Sequence, residues 1–145
     1  MTGKLRSWLF VVVQLAALAY LVVTGPWLAP PSLVSLEIIA LYLAAWAFRS
    51  FHLRQLRIAP EVAPGAKLVT RGPYRWIRHP MYAAVLLLTL SLVLSRPTLD
   101  RAVAWLILLA DLIGKLRYEE TLLAKRFPEY SQYRKRTKRL IPFVY

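Results

Sequence analysis

The segment RGPYRWIRHPMYAAVLLL, Arg71–Leu88, drives three arginines, a histidine and two prolines directly against an unbroken apolar run. Pro80 suits the first turn of a helix, where its missing N–H would have no intrahelical partner. It also biases His79 away from helical geometry. The segment therefore predicts a helix opening at Pro80 with an imidazole at its mouth. A helix apolar on every side belongs either in a large buried core or in a membrane. The whole chain favours the membrane: its 145 residues are 58% hydrophobic and its mean hydropathy is +0.45, above an ordinary soluble domain.

Working outward, four apolar segments approach the roughly 20 helical residues that span a bilayer core of about 30 Å. They are Trp8–Ala29, Leu33–Phe51, Pro80–Ser95 and Leu99–Leu116, the last two forming a helical hairpin through SRPTLD. The first follows Lys4 and Arg6 and continues past the apolar core of a signal peptide, so a retained anchor is expected. APEVAPG, Ala59–Gly65, reads as a turn-rich linker. KLVTRGPYRWIRHP reads as extended or irregular. After Leu116 the fourth helix continues, breaks near Pro128, and resumes as a basic amphipathic helix over Tyr130–Arg139.

The charge sets the topology. Counting Lys and Arg by connection gives two before the first segment, none in the first loop, seven over Arg49–His79, two over Arg96–Arg101 and nine from Lys115 onward. Four crossings with both termini in the cytoplasm place eighteen of the twenty on one side, as the positive-inside rule requires. The expected fold is thus all-α and integral to the membrane, one domain over 1–145. Two N-terminal transmembrane helices occupy 1–58 and a core with hairpin and cytosolic tail occupies 67–142. The net charge of +13 does not point to nucleic acid, because the cations lie between apolar runs instead of being interleaved with aromatics on polar strands. No cysteine is present, which excludes disulfides, thiolate catalysis and cysteine metal ligands. No metal site is expected.

The residues able to carry chemistry cluster on the cytoplasmic side. His79 and Tyr82 lie three apart at the mouth of the third helix and share a face. Taken singly they are an interfacial histidine and an anchoring tyrosine. Arg117 and Glu120 can share a face of the fourth helix, while Glu119 can approach Lys115. Ordinary surface ion pairs are the plain alternative. Asp111 and Glu37 lie inside apolar runs, where ionisable groups are costly. Asp111 is expected to pair with Lys115, and Glu37 to reach the outer interface. Tyr130, Tyr133, Arg134 and Arg139 punctuate the tail. A basic helix with tyrosines is first a membrane-surface element, although Arg134 and Arg139 are also shaped to bind a carboxylate.

Taken together, GPYRWIRHPMY, RYEETLLAKRFPEYSQYRKR and RLIP resemble the isoprenylcysteine carboxyl methyltransferase family and the wider group of small integral-membrane methyltransferases, phospholipid methyltransferases among them. The pattern is Gly-x-Tyr, Arg-His-Pro-x-Tyr at a helix start, a Glu-Glu pair after a hairpin, Tyr-x-x-Tyr and Arg-x-x-Pro, covering Lys67–Pro142. The resemblance implies S-adenosylmethionine as cofactor, held in a cytosol-facing pocket of the third and fourth helices and the tail, with a lipid or lipophilic acceptor entering from the bilayer. It implies binding roles for His79, Pro80, Tyr82, Arg117, Glu119, Glu120, Tyr130, Tyr133 and Arg134, and catalytic roles for His79, Tyr82 and Arg139. One Glu of the pair is expected on the cofactor's amine or ribose, and Arg134 or Arg139 on a carboxylate. Two positions depart from the family pattern: Ala84 stands where Gly is frequent, and Pro128 stands where the Gly of a Phe-Gly pair is frequent.

The acceptor stays open. A prenylcysteine carboxylate is ionised at neutral pH and needs only positioning, whereas a phospholipid amine must first lose a proton. His79 is a candidate base. Two competing readings are a small dimeric transporter using Glu37 or Asp111 and a noncatalytic scaffold whose basic tail binds anionic lipid. The transporter would have short loops with little polar mass, whereas the long connection and the tail here lie on one side, and the scaffold gives no reason for the His-Pro and Glu-Glu constellation.

Overall fold

Each apolar run becomes a helix bounded by its own breakers. A computed structural model describes residues 3–26, 30–50 and 67–145. Its α-helices are α1 Gly3–Thr24, α2 Val34–Ser50, α3 Pro80–Ser95, α4 Leu99–Arg126 and α5 Tyr130–Arg136, with a 3-10 turn at Gly72–Arg75. The described residues contain no strand, only one isolated parallel bridge between Ile77 and Lys138, so the all-α expectation holds. The Ala59–Gly65 linker lies outside the described residues.

The boundaries follow proline and charge. α1 opens at Gly3 instead of Trp8, since nothing before Trp8 breaks a helix, and it stops before Gly25 and Pro26. α3 opens at Pro80 behind a non-helical His79 (φ −125°, ψ 58°) and ends before Arg96-Pro97. α4 begins after an extended Thr98 with Asp100 in its first turn and ends with Lys125 and Arg126 in its last. Those charges complement the helix dipole at both ends. α4 therefore runs beyond Leu116 until Pro128 forces the turn. α5 ends at Arg136, short of the expected Arg139, because Thr137 turns extended (φ −129°, ψ 155°). Lys138 then donates from its N–H to Trp76 O, and its carbonyl accepts from the Arg78 N–H.

The helices alternate in direction. Gly3 lies against Tyr118 and Gly25 against Arg101, so α1 is antiparallel to α4. Ser91 donates to Glu37 at 3.1 Å, while Arg71 donates to Ser50 O at the opposite end. α2 is therefore antiparallel to α3. Glu37 thus bonds to α3. The core joins Leu21, Leu86, Leu108, Leu112 and Leu116 with Ile77 and Leu140 from outside the long helices. At the end away from the tail, Arg101 is 1% exposed. It donates to Leu21 O, Thr24 Oγ1 and Leu92 O, a cation placed on the carbonyl ends of α1 and α3.

Among the described residues α1 alone has the length and apolar composition of a membrane crossing. The four expected crossings are not matched by four such helices. α2 and α3 are 17 and 16 residues long, and α4 carries Asp111 and Lys115 in its apolar half. Large apolar side chains nevertheless face outward on α1, α2 and α4, among them Trp8, Val12, Ile38, Leu41, Val103 and Leu106.

Candidate active site

The candidate site forms where the mouth of α3, the C-terminal end of α4 and the tail meet. Pro80 is buried as the first residue of α3. It turns the chain so that Arg78 and His79 point toward α4. The His79 and Tyr82 rings form a parallel, offset pair, centroids 5.5 Å apart and 2° from parallel. Tyr82 OH donates to Glu119 Oε1 at 2.5 Å. His79 lies between the carboxylates, Nδ1 3.6 Å from Glu119 Oε2 and Nε2 3.6 Å from Glu120 Oε1. These separations exceed hydrogen-bond length, and the buried Nε2 has no partner.

Glu120 is the electrostatic centre. Its Oε1 accepts from Arg78 Nε at 2.6 Å and its Oε2 from Arg139 Nε at 3.1 Å. Burial alone pushes this carboxyl up, but the adjoining His79 and the Arg78 guanidinium outweigh it and hold the carboxyl down at about 2. Glu120 also acts back on Arg139, raising its affinity for its proton despite partial burial. Arg78 continues through Nη1 to the carbonyls of Thr137 and Arg134. One guanidinium thus ties α4 to the tail.

The tail contributes through α5. Tyr130 is 1% exposed, and its hydroxyl is buried without a partner. Burial, then the charge of Glu120, raise its pKa. Tyr133 OH donates to Tyr74 O at 2.6 Å, holding α5 against the 3-10 turn. Arg139 Nη1 donates to Tyr145 OH.

The structure therefore brings together His79, Pro80, Tyr82, Glu119, Glu120, Tyr130, Tyr133 and Arg139. Two expected residues stand apart. Arg117 is exposed and does not pair with Glu120, whose oxygens go to Arg78 and Arg139 instead. The Arg134 side chain is exposed, and only its carbonyl joins the network. Lys115 donates to Gln14 at 2.7 Å and not to Asp111, whose Oδ2 is buried without a partner. The ammonium also lies 5.4 Å from the centroid of the Tyr82 ring. Arg78 was not singled out by the sequence reading. Its signal was its place beside His79 and the scarcity of acids among so many cations. Among the described residues no group of three or more His, Asp or Glu is placed to hold a metal ion.

Known proteins are similar to parts of this chain. One similar protein is the cobalt-zinc-cadmium resistance protein CzcN of Cupriavidus metallidurans, 38% identical over 78 residues, covering 52% of this chain and 35% of that protein. Another is the uncharacterized protein YpbQ of Bacillus subtilis, 58% identical over 26 residues, covering 18% of this chain and 16% of that protein. The chain thus spans about a third of the first relative's length and less of the second. The phospholipid methyltransferase family profile matches residues 13–130, a range that holds His79, Tyr82, Glu119, Glu120 and Tyr130. With most of its length matched, the chain belongs to the phospholipid methyltransferase family.

Proposed function

We propose that this chain is an integral-membrane methyltransferase moving a methyl group from S-adenosylmethionine to a lipid or lipophilic acceptor, at the cytosolic rim of a four-crossing bundle. The observation that carries the reading is the cluster of Glu119, His79 Nε2 and the Tyr130 hydroxyl, the last two buried beside Glu120 without a hydrogen bond. Buried polar atoms without partners are costly unless a ligand completes them, and these suit a cofactor rich in amine, hydroxyl and ring nitrogen. S-adenosylmethionine supplies, when bound, a methyl group activated by its sulfonium.

The chain's own residues divide the work. Glu119 is 20% exposed against 6% for Glu120. It is the carboxylate available to an amine or ribose hydroxyl, oriented by Tyr82. Glu120 has both oxygens engaged and positions Arg78 and Arg139. His79 and Tyr130 offer hydrogen bonds to the cofactor's polar edges. A site of this kind acts by aligning reactants and excluding water. The outward apolar faces of α1, α2 and α4 support membrane embedding, and the charge asymmetry supports a cytoplasmic site.

The test is calorimetric titration of S-adenosylhomocysteine into the protein in detergent and in nanodiscs, with Glu119→Gln alongside. Saturable binding, weakened about tenfold by the variant as befits a lost charge-assisted hydrogen bond, is expected. Absence of binding in both media would overturn the proposal.

A further inference from the structure

The tail has an outer face that the site does not use. Its inner face is committed: Tyr130, Thr137 and Leu140 are buried, and Arg139 meets Glu120. The outer face carries Arg134, Lys135, Arg136 and Lys138, all exposed. Over residues 128–145 there are five cations and a single acid, Glu129. These charges sit beside an apolar knob. Ile141, Phe143 and Val144 are exposed, Phe143 by 87%.

The depth of that knob is set by the fold. Leu140 belongs to the same core cluster as Ile77, Leu86 and Leu116, and Tyr145 packs against it. The turn between them therefore lies level with the helix ends. It is a closed turn: the N–H groups of Leu140 and Ile141 both donate to Tyr145 O, at 2.7 and 2.8 Å. Phe143 holds φ at 65°, a left-handed conformation unfavourable for a bulky side chain. The backbone thus accepts strain while Phe143 stays in the open.

We infer that the C-terminal turn is a membrane-docking surface, with Ile141, Phe143 and Val144 inserted at the bilayer interface and Lys135, Arg136 and Lys138 on anionic lipid headgroups. Apolar insertion beside clustered cations is the chemistry by which surface elements bind anionic leaflets. Because Arg139 and Thr137 lie on the same short segment, docking also holds the tail against Glu120 and Arg78. The inference rests on the membrane placement proposed above, and its test separates the two.

The chain has no cysteine, so single spin labels are clean reporters. Labels at Val144→Cys, Val12→Cys on α1 and Thr121→Cys beyond the site would be compared in nanodiscs by their accessibility to oxygen and to a neutral nickel chelate. In anionic discs the Val144 label is expected to favour oxygen, like the Val12 label and unlike the Thr121 label. Zwitterionic discs, ionic strength near 1 M, where screening shortens to about 3 Å, or Lys135→Gln with Arg136→Gln and Lys138→Gln should each move it toward the Thr121 value, as should Phe143→Ser. A Val144 label matching Thr121 in anionic discs, or one indifferent to lipid charge, overturns the docking surface. A Val12 label favouring the nickel chelate overturns the membrane placement itself.

Discussion

Glu120 shows how one side chain sets the behaviour of its surroundings. Its pair with Arg78 is 6% exposed on both sides, and removing one partner of such a pair costs about 3–5 kcal/mol. Arg78→Gln is therefore expected to lower thermal stability markedly and to abolish S-adenosylhomocysteine binding, read by thermal unfolding and calorimetry. Arg139→Gln should cost less, since Arg139 is 23% exposed and Glu120 keeps Arg78. The carboxyl also predicts a pH dependence. Its folded pKa of about 2 lies below the ordinary 4.5. The stabilisation is full above pH 4.5 and is lost as pH falls through about 2, on the order of 3 kcal/mol in all. Melting temperatures should be level from neutrality to about pH 5 and fall below it, and Glu120→Gln should flatten that acid limb.

At the scale of elements, two junctions depend on backbone fit. Gly72 opens the 3-10 turn at φ 60°, and a Cβ there would collide with Ser50 Oγ at the end of α2. Gly72→Ala combines left-handed strain with that clash and should destabilise by about 1–3 kcal/mol. Gly72→Ala with Ser50→Gly should recover part of the loss by removing the clash, as thermal unfolding would read. At the far end, Arg101 supplies the donors for Leu21 O and Leu92 O. Arg101→Met keeps the volume but leaves buried carbonyls unpaired, a loss of about 1–3 kcal/mol.

For the whole molecule, alternating helix directions put the ends of α1 and α3 near Arg101 at one pole, and the site with its tail at the other. Thr98 at the first pole and Thr121 at the second are both exposed. If the bundle spans the bilayer as proposed, Thr98→Cys should react only with reagent outside the membrane. Thr121→Cys should react only after the membrane is opened. Labelling of both from one side would deny the crossing arrangement. The same polarity explains why the rim can hold a polar site: the cations collect around it.

Much of this was legible locally. Pro26, Pro80, Pro97 and Pro128 punctuate the helices because a proline acts on its own neighbours. The charge asymmetry is a property of connections alone, and the His79 and Tyr82 stack follows from i to i+3 spacing. The partner of Glu120 was not legible in this way. Spacing nominated Arg117, three residues back on the same helix, yet Arg117 faces solvent while Pro80 and the tail deliver Arg78 and Arg139 from 42 and 19 positions away. Lys115 likewise left its i−4 neighbour Asp111 for Gln14 across the bundle. Local periodicity thus determined the helices. Only packing between distant segments decided which charge met which, because a buried carboxylate takes the donors that the fold brings to its oxygens.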